Sequence, residues 1–215
     1  MITALPICLD ESLLKSALAT IPAIDFKLTI NQPTGNFFYD PWTISPKFKG
    51  TVWEQILNML PANIGEARLI KLSKKECYTA HADIDNRWHL PLVLGNSYLV
   101  DLENDHMYKL CVGQWHYMNA GFLHSAVNFG GEDRIQLVVR ELLIPAKLIT
   151  SKHITIRPKL VMANSRYTFD NIYSAILNKL NYAGLINNFK QGETSVSFDT
   201  AIDVELPVND EFEIV

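Results

Sequence analysis

Hydrophobic and polar positions change rhythm near residue 66. From there to about residue 142 they alternate with a period of two in eight short runs, at 67–72, 78–84, 87–94, 98–102, 107–110, 114–118, 125–129 and 134–143. Runs of this length separated by turn residues predict a mainly β sandwich or jelly roll. Before residue 66 the period is helical. Asp10 is placed to cap a short helix whose apolar side carries Leu13, Leu14, Ala17, Leu18 and Ile21, ending before Pro22. Thr51-Val-Trp-Glu54 is a capping-box pattern, followed by Trp53, Ile56, Leu57 and Leu60 on one face and stopped by Pro61. Between them, residues 31–50 set Pro33, Gly35, Pro41 and Pro46 among Phe37, Phe38, Tyr39 and Trp42, which predicts an irregular segment wrapped over the core or over a site. After Pro145 come a linker-like stretch at 152–158, a helix at 167–182 with Ile172, Ile176 and Leu180 in line, a hairpin of 194–198 with 201–206, and an acidic tail. The domain reading is therefore a unit over 1–145 with its core at 66–142, and an α+β extension over 146–215. That extension suits three roles: completing the fold, covering a pocket, or making a dimer contact.

The same alternation sorts side chains onto faces. In the last run Ile135, Leu137 and Val139 alternate with Arg134, Gln136 and Arg140. The apolar row is expected on the helices and the polar row inside. In 87–94, Arg87 and His89 share one face while Trp88, Leu90, Leu92 and Leu94 share the other. If 78–84 is a strand, His81 and Asp83 point to one side, roughly 6.6 Å apart along the backbone. Two imidazoles and one carboxylate can occupy one face of an octahedral metal and leave the opposite face open. A distal His completes that set. His124 fits, because Arg134 follows it by ten residues and a guanidinium there can clamp a dicarboxylate through two parallel charge-assisted hydrogen bonds. His106 and His116 are the alternative ligands, without an Arg at that spacing.

His81-x-Asp83, Arg87-x-His89-Leu90-Pro91-Leu92, Gly113-Gln114-Trp115, His124-Ser125-Ala126-Val127-Asn128 and Arg134, in that order, resemble the Fe(II)/2-oxoglutarate-dependent dioxygenases. Within them the sequence is most similar to the aspartyl/asparaginyl β-hydroxylase branch, which includes free-proline hydroxylases. The resemblance spans residues 66–142. It implies a cupin-like double-stranded β-helix with flanking α-helices, holding Fe(II) on His81, Asp83 and His124. It also implies 2-oxoglutarate chelating the metal, O2 as co-substrate, and hydroxylation of a C–H bond with release of succinate and CO2. Arg134 then takes the distal carboxylate of 2-oxoglutarate, while His89 and Arg87 approach its C1 carboxylate. A structural salt bridge is the competing role for Arg87. Gln136 shares the inward face with Arg134 and can assist with the same carboxylate or with substrate. Some aspartyl hydroxylases lack the carboxylate ligand, so Asp83 makes this sequence more like the proline hydroxylases. Asp85, Trp88 and Trp115 are close enough in sequence to touch substrate, with core packing the competing role for Trp115, and Asn128 is expected to shape the turn before Gly130-Gly131.

Composition narrows the partner. The chain has 215 residues, 48% of them hydrophobic, enough for a substantial core. Nineteen basic and twenty-three acidic residues give a net charge of −4 without a long run of either sign, so no footprint for nucleic acid or an anionic membrane is expected. A small amino acid or peptide substrate suits this balance better; the oligomeric state is not readable. The first residues lack a basic signal-peptide region and no later stretch approaches eighteen apolar residues, which predicts a soluble, cytoplasmic protein. Cys8, Cys77 and Cys111 are widely spaced and in no zinc pattern, which predicts buried thiols in a reducing compartment. Two other classes use the same residues differently: a cupin-like metal-binding or sensing protein, which needs the triad but not Arg134, and a structural jelly roll with core histidines.

Overall fold

The computed structural model describes residues 2–61, 63–159, 174–206 and 212–215. Its centre is two antiparallel sheets facing one another. The larger is built from β1 (Ile2–Cys8), β2 (Lys27–Thr29), β5 (Ile64–Leu72), β6 (Arg87–Val93), β9 (Gln114–Met118) and β11 (Arg134–Glu141), in the order β1-β9-β6-β11-β5-β2. The smaller is β7 (Ser97–Asp101), β8 (His106–Tyr108) and β10 (His124–Asn128), in the order β10-β7-β8. The expected jelly roll is present. A ribbon of β3 (Asn31–Pro33) and β4 (Trp42–Ile44) runs through the aromatic segment that the sequence marked as irregular.

The two faces of the large sheet differ as the alternation predicts. Leu137 and Val139 of β11, Leu69 of β5, and Trp88, Leu90 and Leu92 of β6 face outward. They pack with Ala17 of α1 (Glu11–Ala19) and with Trp53, Ile56 and Leu57 of α2 (Val52–Leu57). Asp10 caps α1 by accepting from Leu13 N at 2.7 Å. At α2 the capping box closes imperfectly: Thr51 accepts from Trp53 N, while Glu54 reaches Gly50 N rather than Thr51 N. Trp115 is fully buried in this core, so it and Trp88 are packing residues and not substrate contacts. Leu94 leaves the row expected for it. It lies past the end of β6 and joins Leu72, Leu99, Leu110 and Met118 between the sheets. Asn128 donates to Leu72, Ser73 and Glu132 carbonyls and accepts from Gly130 N, and so ties the turn at Gly130 as expected.

Several expectations need correction. Residues 78–84 are not a strand; only Cys77 and His81 form single bridges, to Val127 and His124. After His81 the chain peels away from β10, and Asp83 N turns instead to the Ala120 carbonyl at 2.7 Å. The linker-like stretch is a strand, β12 (Ser151–Pro158), in a four-stranded sheet with β13 (Ile186–Gln191), β14 (Val196–Ala201) and β15 (Phe212–Ile214). The hairpin is therefore β13 with β14, one strand earlier than predicted. The helix α3 (Ser174–Tyr182) falls within the predicted 167–182; Ile172 and the start of that prediction lie outside the described residues. All three cysteines are free and exposed rather than buried, because Cys8 ends an edge strand and Cys77 and Cys111 lie in the connections between strands. Among the described residues no helix is long and apolar enough to cross a membrane.

Leu137 is fully buried at the middle of the outward core. Leu137→Ala should cost about 2–5 kcal/mol, read as a lower urea midpoint at unchanged slope.

Candidate metal centre

The inward face of the large sheet, the segment 78–83 and β10 enclose a cavity of about 70 Å3 that is open on one side. Its wall includes Arg68, Tyr78, His81, Asp83, Arg87, His89, His124, Ser125 and Gln136. His81 and His124 face each other because their backbones exchange two hydrogen bonds, His81 N to His124 O at 2.9 Å and His124 N to His81 O at 2.8 Å. Their rings lie 4.4 Å apart between centroids. Each Nδ1 is held by a backbone carbonyl two residues back, His81 by Thr79 O at 2.8 Å and His124 by Phe122 O at 2.7 Å. A carbonyl only accepts, so the proton of each neutral ring sits on Nδ1 and the Nε2 lone pair is free.

Both Nε2 atoms then look at Asp83 Oδ2, each at 3.8 Å. Three acceptors converge with no proton between them, an arrangement matched by a cation. The donor atoms lie within 4.8 Å of one another. Two ligands at right angles around a metal with bonds of about 2.1 Å would stand about 3.0 Å apart, so modest closure brings them into range. The other carboxylate oxygen, Oδ1, is held by Arg87 Nη2 at 3.0 Å, which leaves Oδ2 to the histidines. The three predicted metal ligands therefore fit a divalent ion.

Arg87 is itself fixed. It pairs with Asp83 and, through Nη1, with Asp85, which also takes Arg140. The Arg140 guanidinium lies 4.0 Å from the Phe37 ring centroid and 4.9 Å from that of Phe38. Asp85 is thus a buried counter-ion, not a substrate contact. His106 lies on β8 and is exposed, and His116 is held by Gln114 O and Cys111 N; neither joins the triad.

A second set of donors runs behind the triad. Arg134, 1% exposed, donates from Nη2 to Gln136 Oε1 at 2.6 Å. Since guanidinium cannot accept, this bond fixes the Gln136 amide, whose Nε2 then donates to His89 Nδ1 at 3.2 Å. His89 must therefore carry its proton on Nε2. That atom, Arg134 Nε and Arg134 Nη1 are buried without a partner. Arg134 reaches the cavity through Gln136, since Gln136 lies on the wall and Arg134 behind it. Buried N–H groups of this kind call for an anion.

Electrostatics keeps these groups in the states the geometry needs. Burial penalises the Asp83 carboxylate, but Arg87, His124 and His81 outweigh it and hold the carboxyl well below its usual range. Burial pushes His124 down to about 4 and His89 well below 6.5, so both are neutral at pH 7. Arg134 is lowered to about 10 by burial and stays charged. Sequence reasoning missed Arg68 and Tyr78 on the wall. Arg68 alternates with Leu69 in β5 exactly as Arg134 does with Ile135 in β11, so the inward row of β5 was readable by the same rule.

Comparison with known proteins agrees with this geometry. Residues 44–142 match the family model of aspartyl/asparaginyl beta-hydroxylase. The chain resembles that family. The matched segment holds the whole triad, Arg87, His89, Arg134 and Gln136, and it extends the resemblance seen in the sequence back to residue 44. No curated protein matches the sequence. Among solved structures, the chain is similar to a 2OG-Fe(II) oxygenase family oxidoreductase from Burkholderia pseudomallei, at 14% identity and a TM-score of 0.48, covering 65% of this chain and 82% of that one. It is also similar to HygX from Streptomyces hygroscopicus with iron bound, at 8% identity and a TM-score of 0.47, covering 69% and 85%. A prolyl-4-hydroxylase from Pseudomonas putida is similar at 15% identity and a TM-score of 0.42, covering 66% and 91%.

A buried neutral imidazole makes the metal-free protein sensitive to acid. His124 has a folded pKa below its unfolded value near 6.5, so its contribution is complete above pH 6.5 and is lost as pH falls toward about 4. The loss should amount to about 3 kcal/mol. Urea midpoints of metal-free protein should drop between pH 7 and pH 5, and His124→Asn should reduce that slope; a midpoint constant over this range would contradict the burial.

Proposed function

We propose that the protein is an Fe(II)- and 2-oxoglutarate-dependent dioxygenase that hydroxylates an unactivated C–H bond of an amino acid, free or within a peptide, releasing succinate and CO2. The observation that carries this reading is the pairing of two donor sets around one cavity: three convergent lone-pair donors on His81, Asp83 and His124, and unpartnered buried N–H groups on His89 in its wall and on Arg134 behind Gln136. A metal-binding or sensing protein would need the first alone. Iron bound at the triad, with 2-oxoglutarate and O2, supplies an oxidant able to abstract hydrogen from carbon.

The chain's own residues do the rest. Arg87 holds Asp83 Oδ1, so the carboxylate presents one oxygen to the metal and stays ionised. The row Arg134, Gln136 and His89 offers donors to 2-oxoglutarate, with Arg134 opposing the distal carboxylate and His89 Nε2–H nearer the metal end. Gln136 stands between Arg134 and the cavity, so it either turns aside for the carboxylate or donates beside the guanidinium. Arg87, locked between two carboxylates, orients Asp83 and is not free to clamp an anion. Arg68, Arg87, Arg134 and Arg140 face Glu66, Asp83 and Asp85 around the site, an excess of positive charge that favours small anionic ligands. The apolar wall of Ile70, Leu99, Ala126 and Val138 limits water beside the reacting carbon.

Anaerobic addition of Fe(II) and 2-oxoglutarate should give the weak visible charge-transfer band of the chelate. A blank spectrum from folded, iron-loaded protein would reject the oxygenase reading. Arg134→Ala should weaken 2-oxoglutarate binding at least tenfold and leave metal content near that of the parent, whereas Asp83→Ala should lose the metal; equal 2-oxoglutarate affinity in Arg134→Ala would remove Arg134 from the assignment.

A further inference from the structure

The C-terminal helix α3 sends two side chains, Asn178 and Tyr182, toward the segments that carry the metal donors. They stand four residues apart and so share a helix face. Asn178 is 2% exposed. Its Nδ2 donates to the Ile84 carbonyl at 2.7 Å and lies 3.5 Å from Asn86 Oδ1. Ile84 directly follows the ligand Asp83. On its other side Asn178 lies against Gly121, three residues before the ligand His124; a Cβ at position 121 would fall 2.3 Å from Asn178 Oδ1. A side chain at 121 would therefore push this helix away.

The two ligand-bearing segments are stitched at the same place. Asp83 N donates to Ala120 O at 2.7 Å, and Ala120 N to Asn86 Oδ1 at 3.3 Å. Asn86 is a hub: its Nδ2 lies 2.7 Å from Tyr117 Oη, 2.7 Å from Glu141 Oε2 and 2.9 Å from Tyr182 Oη. Two amide hydrogens cannot fully serve three oxygens, and the Tyr117 hydroxyl relieves the excess by donating to Glu141 at 2.6 Å. Beside this polar knot, Leu177 is 1% exposed and packs with Ile84 in the C-terminal core.

We infer that α3 is a positioning element of the metal centre, with Asn178 as the residue that sets the spacing between the segment bearing Asp83 and the segment bearing His124. The inference rests on the reading of His81, Asp83 and His124 as metal donors. Asp83 has no strand to hold it, because the chain has left β10 after His81. Its place is fixed by Arg87, by Ala120 O and, one residue on, by the bond from Asn178 to Ile84 O. His81 and His124 are held by their own backbone bridge, so Asp83 is the donor most exposed to loss of Asn178. The extension at 146–215 then does more than add mass: its first described helix braces the loop on which the carboxylate ligand rides.

Co(II) titration of the full chain against a competing chelator tests this, with the visible Co(II) spectrum and a thermal melt on each variant. Asp83→Ala should abolish tight Co(II) binding in the parent background; if it does not, the metal reading and this inference fall together. Given that control, Asn178→Ala and Asn178→Asp should raise the Co(II) dissociation constant about 10- to 100-fold and change the Co(II) spectrum at temperatures where the protein is folded. Gly121→Ala should weaken Co(II) binding in the parent and cost less in the Asn178→Ala background, where the two closest atoms, Oδ1 and Cγ, are gone and only the Cβ at 2.8 Å remains. Tyr182→Phe, a milder change suited to the case that Asn178 variants fail to fold, should also raise the constant, by less than the Asn178 variants. Parent-like affinity and spectrum in folded Asn178 variants, or in Tyr182→Phe where those do not fold, would overturn the inference and leave the metal reading standing. So would a loss of affinity that only follows the unfolded fraction.

Discussion

Charge buried between two sheets is the constraint on which this structure turns. The inward rows of β6 and β11 carry Arg87, Arg134 and Arg140, each 7% exposed or less. A buried guanidinium is tolerated only where carboxylates, hydrogen bonds or rings surround it. Asp85 meets this need twice, by taking Arg87 and Arg140, and Asp83 meets it once more through Arg87. The chain of pairs runs from the rings of Phe37 and Phe38 to Asp83. Asp83 is consequently held in one orientation and one ionisation state, as the proposed metal centre requires. Arg134 is the member of the row without a carboxylate, and its charge is what remains for a bound anion.

The same network explains why the aromatic segment and the C-terminal unit belong to the site although neither contributes a donor. Phe37 and Phe38 cover Arg140, and the Phe38 carbonyl accepts from Leu143 N at 2.9 Å. Phe38 in turn packs edge-on against Phe189 at 4.8 Å, and the Tyr39 hydroxyl accepts from Phe189 N. The choice between a loop over the core and a loop over the site was thus not exclusive: the loop packs on the charged back of the site and on the C-terminal core together. The sequence suggests a boundary near residue 145, whereas Ile84 and Leu143 share one apolar cluster with Ile156, Leu177 and Phe198.

The three central histidines are hydrogen-bonded differently at Nδ1 and so act differently. His81 and His124 donate from Nδ1–H to backbone carbonyls and keep the Nε2 lone pair free. His89 accepts a hydrogen bond at Nδ1 from Gln136 and offers Nε2–H. One residue type therefore presents both free lone pairs and a free N–H to one cavity. The tautomer is set by the neighbour of the opposite nitrogen, a distinction no spacing of letters contains.

Much of the fold was legible because strand periodicity is local. The rows Arg134, Gln136, Arg140 and Arg87, His89 followed from alternation alone, as did the apolar rows that seat α1 and α2, and the ten-residue step from His124 to Arg134 tied two strands to one site. The triad was legible as a set of residue types, though not through the strand first assumed for it. What tertiary structure decided were the contacts that join residues far apart in the chain: the single bridge that faces His81 to His124, the departure of Asp83 toward Ala120, the capture of Arg87 by Asp85, and the insertion of Asn178 beside Gly121. Each depends on the closure of loops and on charge compensation in a shared interior. Periodicity reports which way a side chain points from its own strand, and only the packed chain determines what it meets.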